Sequence, residues 1–214
     1  MIDDQNNLLG RITFDDVIDE IKSEADESLR QISGIDSDTF EKTSTAIRTR
    51  GFWLGTNLLT ALIAASVINI FKETLEQVIF LAVLMPIIAS MGGVAATQTL
   101  TITVRGLALG QIVRANYLYI FNRELMVGIS NGFIWAVILS LIACSWFQDW
   151  LLAWVICLSM IINLVAGVLS GMGIPILLKG LKMDPAVAGS VIVTTVTDVI
   201  GFFSFLGLAT YFYS

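Results

Sequence analysis

The sequence contains no histidine and only two cysteines among its 214 residues. Without histidine, no His-ligated metal site, His general base or HExxH motif exists, which excludes many classes of enzyme. Cys144 and Cys157 both lie within apolar runs and show no CxxC spacing. We interpret both as small packing residues. The sequence therefore predicts a protein that is not an enzyme.

Charged residues are also scarce, at 14% of the chain, and they are unevenly distributed. Residues 1–42 hold twelve acids and four bases, whereas residues 43–214 hold six acids and eight bases. Hydrophobic residues make up 56% of the chain, and the mean hydropathy is +0.81. A soluble domain of this size rarely reaches such a value. The sequence predicts a membrane protein with an acidic N-terminal segment.

Five apolar stretches are long enough to cross a bilayer, which takes about 20 helical residues. Their approximate limits are 52–71, 78–103, 125–147, 151–178 and 186–213. Short polar joints separate them, so successive helices should run antiparallel. We predict an all-α membrane protein with five transmembrane helices per subunit, formed by residues 51–214.

Lysines and arginines in the joints predict the orientation, because cytoplasmic loops carry an excess of them. Only Lys72 falls on one side. The other side carries Arg48, Arg50, Arg105, Arg114, Arg123, Lys179 and Lys182. We expect a cytoplasmic N-terminus and an external C-terminus.

One carboxylate, Asp198, lies in the middle of the fifth apolar stretch, "VIVTTVTDVIGFFSFLGLATYF". Intramembrane acids normally face a protein interior or water, because insertion of an acid costs roughly 2.5–3.5 kcal/mol. Steps of three or four residues from Asp198 reach Thr194, Ser190 and Gly201, which places a polar stripe on one helix face. A buried acid that only holds helices together is the alternative interpretation.

The second stretch carries a matching stripe in "MPIIASMGGVAATQTLTIT". Ser90, Gly93, Thr97 and Thr101 recur at intervals of three and four, with Gln98 alongside. Small residues at this spacing also allow tight helix contacts, which is the alternative for a single span. Together with the acid on the fifth span, the two stripes favour an ion pathway.

One carboxylate does not balance a divalent cation in a low-dielectric pore. No other acid is predicted at this depth, since Glu124, Asp149 and Asp184 all fall at predicted span ends. A two-fold dimer would supply a second Asp198 on its axis. Two carboxylates with hydroxyls, carbonyls and retained water suit Mg²⁺, although this chemistry does not exclude Mn²⁺, Ca²⁺, Co²⁺ or a proton.

Two segments, "PIIASMGGVAATQTLTITVRGLALGQI" and "MDPAVAGSVIVTTVTDVIGFFSFLGLA", resemble the signature segments of the MgtE family of magnesium channels and transporters. The resemblance covers about residues 45–214 and implies a homodimer whose second and fifth helices line a central pore. It implies that Asp198 is the central Mg²⁺-binding acid and that Asp184, in "DPA", lies at a cytoplasmic gate. It also implies that Gly201, Gly93 and the position of Ser90 contribute to the metal site. The polar stripes add Thr97, Ser190 and Thr194 as candidate metal-site residues, and Gln98 and Thr101 as candidate pore-lining residues.

The chain departs from that family pattern at the second span. Many members have "GNxGNQ" where this chain has "GVAATQ", so Val94 and Thr97 stand in place of asparagines. In the fifth helix, Ser190 and Val191 replace the Asn-Pro or Gly-Pro of many members. These changes leave ion selectivity and coupling open.

The acidic N-terminal segment also fits the resemblance. "LLGRITFDDVIDEIKSEADE" looks like the last strand and helix of a CBS domain, the regulatory module that precedes the membrane domain in this family. We predict a CBS-like remnant at residues 1–21 and a connecting helix at residues 22–50. A solvated acidic tail or a docking arm is the alternative.

The function predicted from these features is transport of Mg²⁺ across a bacterial inner membrane by a homodimer, with no nucleic-acid partner. An exchanger of divalent cations for Na⁺ or H⁺ and a non-transporting scaffold are the alternatives. An intramembrane aspartyl enzyme is a remote one, because such chemistry needs two close carboxylates in different protonation states.

Overall fold

The structure is a computed structural model that describes residues 13–20, 42–182 and 187–213. Five long helices form its body, and no strand occurs among the described residues. They are α1 (Thr43–Ile70), α3 (Phe80–Ala108), α4 (Tyr117–Phe147), α5 (Trp150–Gly180) and α6 (Val187–Tyr213). The short α2 (Lys72–Gln77) follows α1, and a 3₁₀ turn (Arg114–Asn116) precedes α4.

All five long helices are long and apolar enough to cross a membrane, so the prediction of five spans is confirmed. Two of them begin earlier than hydropathy indicates. Helix α1 starts at Thr43, and α4 starts at Tyr117. Polar residues at these ends remain helical because each added residue gains one backbone hydrogen bond.

The N-terminal predictions lie mostly outside the described residues. Residues 14–20 are helical. Residues 15–20 agree with the helix predicted for the acidic segment, whereas Phe14 was predicted to be the last residue of the preceding strand. The rest of the CBS-like remnant and most of the connecting helix fall in residues 1–12 and 21–41, outside the description. Both domain assignments stay predictions.

Helix α5 occupies the centre of the bundle, where it packs against α3, α4 and α6. Glycines allow the closest of these contacts. A Cβ added at Gly167 would lie 2.8 Å from the carbonyl oxygen of Gly92, and one at Gly171 would lie 2.5 Å from that of Ala96. The backbones of α3 and α5 therefore touch along two helical turns, as small residues permit in membrane helices.

Helix α1 lies at the periphery and packs mainly on α6. Ala64 is its only buried residue. The apolar side chains on the rest of this helix, such as Leu58 at 61% exposed, face outward. In a bilayer these surfaces meet lipid or another protein.

The joint between α4 and α5 is fixed by Asp149, which caps α5. Its Oδ1 accepts hydrogen bonds from the N–H groups of Leu151 at 2.8 Å and Leu152 at 3.1 Å. Its Oδ2 accepts a short hydrogen bond from the Tyr213 hydroxyl at the end of α6. Burial alone would raise the pKa of Asp149, but the bonds from Tyr213, Leu152 and Leu151 together hold it below its usual value.

Candidate functional site: a polar groove along the second span

An open groove of about 710 Å³ runs along α3 at its contact with α6. Its lining residues are Ser90, Gly93, Val94, Thr97, Gln98, Thr101, Ile102 and Thr194. All but Thr194 come from α3, where their spacing places them on neighbouring turns of one face. The structure thus brings the whole predicted stripe of the second span into one cavity, which we call the groove.

Three threonine hydroxyls of the groove donate hydrogen bonds to backbone carbonyls of their own helices. Thr97 Oγ1 donates to Gly93 O at 2.8 Å, and Thr101 Oγ1 donates to Thr97 O at 2.8 Å. On α6, Thr194 Oγ1 donates to Ser190 O at 2.9 Å. Because each hydroxyl hydrogen is committed to the backbone, the remaining lone pairs can accept from water or contact a hard cation.

Asp198 lies one helical turn beyond Thr194 on α6, so the two side chains share a face. It is neither fully buried nor fully exposed, and no hydrogen bond or ion pair to its carboxylate is recorded from the described residues. No group of three or more Cys, Asp or Glu side chains that could hold a metal occurs among the described residues.

Gly201 is placed differently from the rest of the predicted stripe. It is buried, and a Cβ added there would lie 2.7 Å from Nδ2 of Asn163 on α5. Its missing side chain serves a helix contact in this structure. Ser190 lies at the half-buried start of α6, and Asp184 falls in residues 183–186, outside the described part of the chain.

Asn163 is a residue that the sequence reasoning missed. It is fully buried at the meeting point of α3, α5 and α6. Its Nδ2 donates to Ile88 O of α3 at 2.8 Å, and its amide fills the space left by Gly92 and Gly201. An amide in the apolar run "MIINLVAG" was the available signal, since polar residues at this depth hold helices together. Asn163 fixes the two helices that border the groove relative to each other.

Glu124 is the second missed residue. The sequence placed it at a span end, but α4 begins at Tyr117, so Glu124 lies about 10 Å inside the helix by helical rise. Its side chain is 5% exposed. The structure thus places Glu124 within the helix rather than before it, because polar residues before residue 125 continue the helix. Its position at the end of the membrane span stays a prediction.

Comparison with known proteins identifies relatives of this chain. A family model described as MgtE, divalent cation transporter, matches residues 85–208. A magnesium transporter MgtE of Bacillus subtilis is 34% identical over 214 residues, which is 99% of this chain and 48% of that protein. Magnesium transporters MgtE of Enterococcus faecalis and Thermus thermophilus are 29% and 28% identical over 98% of the chain, each along 47% of its own length.

The chain spans about half the length of these relatives. Their bacterial origin and the five spans support a multi-pass bacterial membrane protein. The family match covers more than half of the chain, including α4, α5 and most of α3 and α6. This protein belongs to the MgtE family of divalent cation transporters.

Proposed function

We propose that this protein carries Mg²⁺ across the bacterial inner membrane through a pore lined by α3 and α6. The observation that carries the proposal is the groove, which collects the polar side chains of the second span one turn from Asp198. The relatives named as magnesium transporters support Mg²⁺ as the ion. Mn²⁺, Co²⁺ and Ca²⁺ are competitors for the same oxygen-rich surface.

A homodimer completes the pore. In a single subunit the groove is open on one side and offers hydroxyls and one amide, with a single carboxylate nearby. A two-fold axis along this face would oppose two grooves and two Asp198 side chains. The two carboxylates then balance one divalent cation, and the hydroxyl lone pairs accept hydrogen bonds from its retained water.

The membrane potential supplies the driving force for inward flux. A divalent cation gains about 4.6 kcal/mol per 100 mV, twice the value for a single charge. The orientation that we propose puts the N-terminus, Asp184 and the basic joints on the cytoplasmic side. Asp184 would gate that mouth, and residues 1–21 and 22–50 would be the CBS-like remnant and the connecting helix.

Substitution of Asp198 tests this function. With the chain reconstituted in liposomes at equal density, Asp198→Asn should abolish potential-driven Mg²⁺ uptake, because the neutral pair no longer offsets the ion's desolvation. Glu73→Gln is the matched control, since Glu73 is an exposed acid outside the long helices. Uptake by Asp198→Asn equal to that of the control would contradict the proposal.

Coupled exchange is the alternative that one observation favours. Val94 lines the groove and is 50% exposed. In the family pattern that the sequence resembles, many members have asparagine at this position. A changed lining can admit a different ion. Mg²⁺ flux measured at clamped voltage should ignore imposed Na⁺ and proton gradients if the protein is a channel, and should follow one of them if it is an exchanger.

A further inference from the structure

A second cavity of about 330 Å³ lies between α3, α4 and α5 and adjoins the groove. Val94, Gln98 and Ile102 of α3 line both spaces. The cavity also contains Glu124, which the proposed transport pathway does not use. We call this space the lateral cavity.

The packing of α4 against α5 forces Glu124 inward. The buried residues of α4 recur every three or four positions and begin with the acid: Glu124, Gly128, Gly132, Ala136, Ser140 and Ala143. A Cβ added at Gly128 would lie 2.7 Å from Cγ2 of Val168 on α5. Because this face is packed against α5, the Glu124 side chain is only 5% exposed and lines the lateral cavity.

The carboxylate of Glu124 is poorly compensated within the described residues. Its recorded contact is with the neighbouring Arg123, whose Nη1 lies 3.9 Å from Glu124 Oε1. That distance is the limit of an ion pair, and the Arg123 side chain is 64% exposed. Consecutive residues on a helix do not face each other, so the guanidinium does not enclose the acid. A charge at this depth calls for a further partner.

The lateral cavity offers neutral oxygen atoms beside this charge. Gln98, Thr99 and Asn131 line it with Glu124. The amide nitrogen of Asn131 donates to Val127 O at 3.1 Å, which leaves its Oδ1 free to accept or to ligate. Carboxylate, amide and hydroxyl oxygens suit hard cations.

We propose that the lateral cavity binds one monovalent cation, Na⁺, through Glu124 and the amide oxygens of Gln98 and Asn131. One carboxylate neutralises one positive charge, whereas a divalent ion would leave an excess charge in a low-dielectric space. The volume exceeds that of several water molecules at about 30 Å³ each, so the ion keeps part of its hydration. This site is centred on Glu124 rather than on Asp198, although Val94, Gln98 and Ile102 border both the lateral cavity and the groove.

Na⁺ binding by the purified full chain tests the site. Thermal unfolding and ²²Na⁺ binding are measured in NaCl and in N-methyl-D-glucamine chloride at equal ionic strength. Because a ligand stabilises the state that binds it, Na⁺ should raise the unfolding temperature of the wild type and of Asp198→Asn. Glu124→Gln, which preserves shape and removes the charge, should lose both the shift and the bound ²²Na⁺.

Asn131→Ala provides a second variant that keeps the buried carboxylate, since Asn131 is exposed at the mouth of the cavity. It should bind Na⁺ about tenfold more weakly, as expected for the loss of one ligand to a charge. Equal ²²Na⁺ affinity in wild type and Glu124→Gln would overturn the proposal. Loss of ²²Na⁺ binding in Asp198→Asn would also overturn it. An equal rise of the unfolding temperature in N-methyl-D-glucamine chloride would do the same, because it would show an effect of ionic strength only.

Discussion

The groove and the lateral cavity border α3, and each has one carboxylate beside it. Asp198 lies near an open surface among hydroxyls that donate to the backbone of their own helices. Glu124 is 5% exposed and begins a row of small buried residues on α4. In the proposed dimer the groove would face a partner subunit, whereas the lateral cavity is bounded by three helices of one chain. The comparison is between a surface where assembly is proposed and a space formed by packing within one subunit.

Two adjacent glycines give the strongest test of this comparison. Gly92 faces the packed interior, where an added Cβ would overlap the amide of Asn163. Gly93 faces the groove, where nothing lies within 4 Å of such an atom. We expect Gly92→Ala to destabilise the protein by about 1–3 kcal/mol through overpacking. Gly93→Ala should keep or slightly raise stability, because alanine favours helix.

The same two variants should separate again in transport. Gly93→Ala narrows the groove and should lower Mg²⁺ uptake in liposomes, although its thermal unfolding in detergent is unchanged. Gly92→Ala should lower the unfolding temperature. Its Mg²⁺ uptake, normalised to the amount of folded protein, should remain higher than that of Gly93→Ala. Equal losses of stability in both variants would break the distinction between the two faces of α3.

The anchor between α5 and α6 should have the next largest effect. Asp149→Ala removes the cap of α5 and the acceptor of Tyr213, and should cost about 1 kcal/mol, as N-cap losses do. Asp149→Ser is the control, because serine retains the capping oxygen. If both variants unfold at the wild-type temperature, the cap does not secure the wall of the groove.

The pH dependence of this anchor follows from the lowered pKa of Asp149 in the folded state. A depressed folded pKa contributes stability that is present above the unfolded value of about 3.9. That contribution is lost as the pH falls through the folded value. Acid unfolding curves of wild type and Asp149→Ser should therefore converge at low pH and differ near neutrality.

Substitutions of two threonines on α3 should have the smallest effects. They should distinguish the groove face of the helix from its buried face. Thr101 lines the groove, whereas Thr103 is buried, and both donate to a carbonyl one turn earlier at 2.8 Å. Thr101→Val should reduce Mg²⁺ flux at low Mg²⁺ by about fivefold, equivalent to one hydrogen bond near 1 kcal/mol. Thr103→Val should leave flux unchanged and change stability by less than about 1 kcal/mol. A loss of flux in Thr103→Val alone would contradict the assignment of faces.

Hydropathy and helical spacing were enough to predict the spans and the stripe on α3, because both depend on residues close in sequence. The stripe from Ser90 to Thr101 occupies one face wherever the helix is placed. The span limits were less accurate, since helix formation continues through the polar residues between Tyr117 and Glu124. That difference at the start of α4 left Glu124 outside the predicted helix.

The contact around Asn163 could not be predicted from local pattern. Its partners, Ile88, Gly92 and Gly201, come from two other helices that are distant in sequence. Their meeting depends on the close approach of α3 and α5 at Gly167 and Gly171, which is a property of the packed bundle. An isolated asparagine in an apolar span indicates that a partner exists, but not which one.

Val94, Gln98 and Ile102 form a single row of α3 side chains that borders both spaces. Cations held on either side of this row would be separated by about the width of a helix, 10 Å, or less. At an effective dielectric constant near 20, a monovalent and a divalent cation at that distance repel by roughly 3 kcal/mol. If the lateral cavity binds Na⁺ as proposed, that ion would weaken Mg²⁺ binding in the groove by about a hundredfold without any movement of the chain. The affinity of the groove would then depend on the sodium concentration.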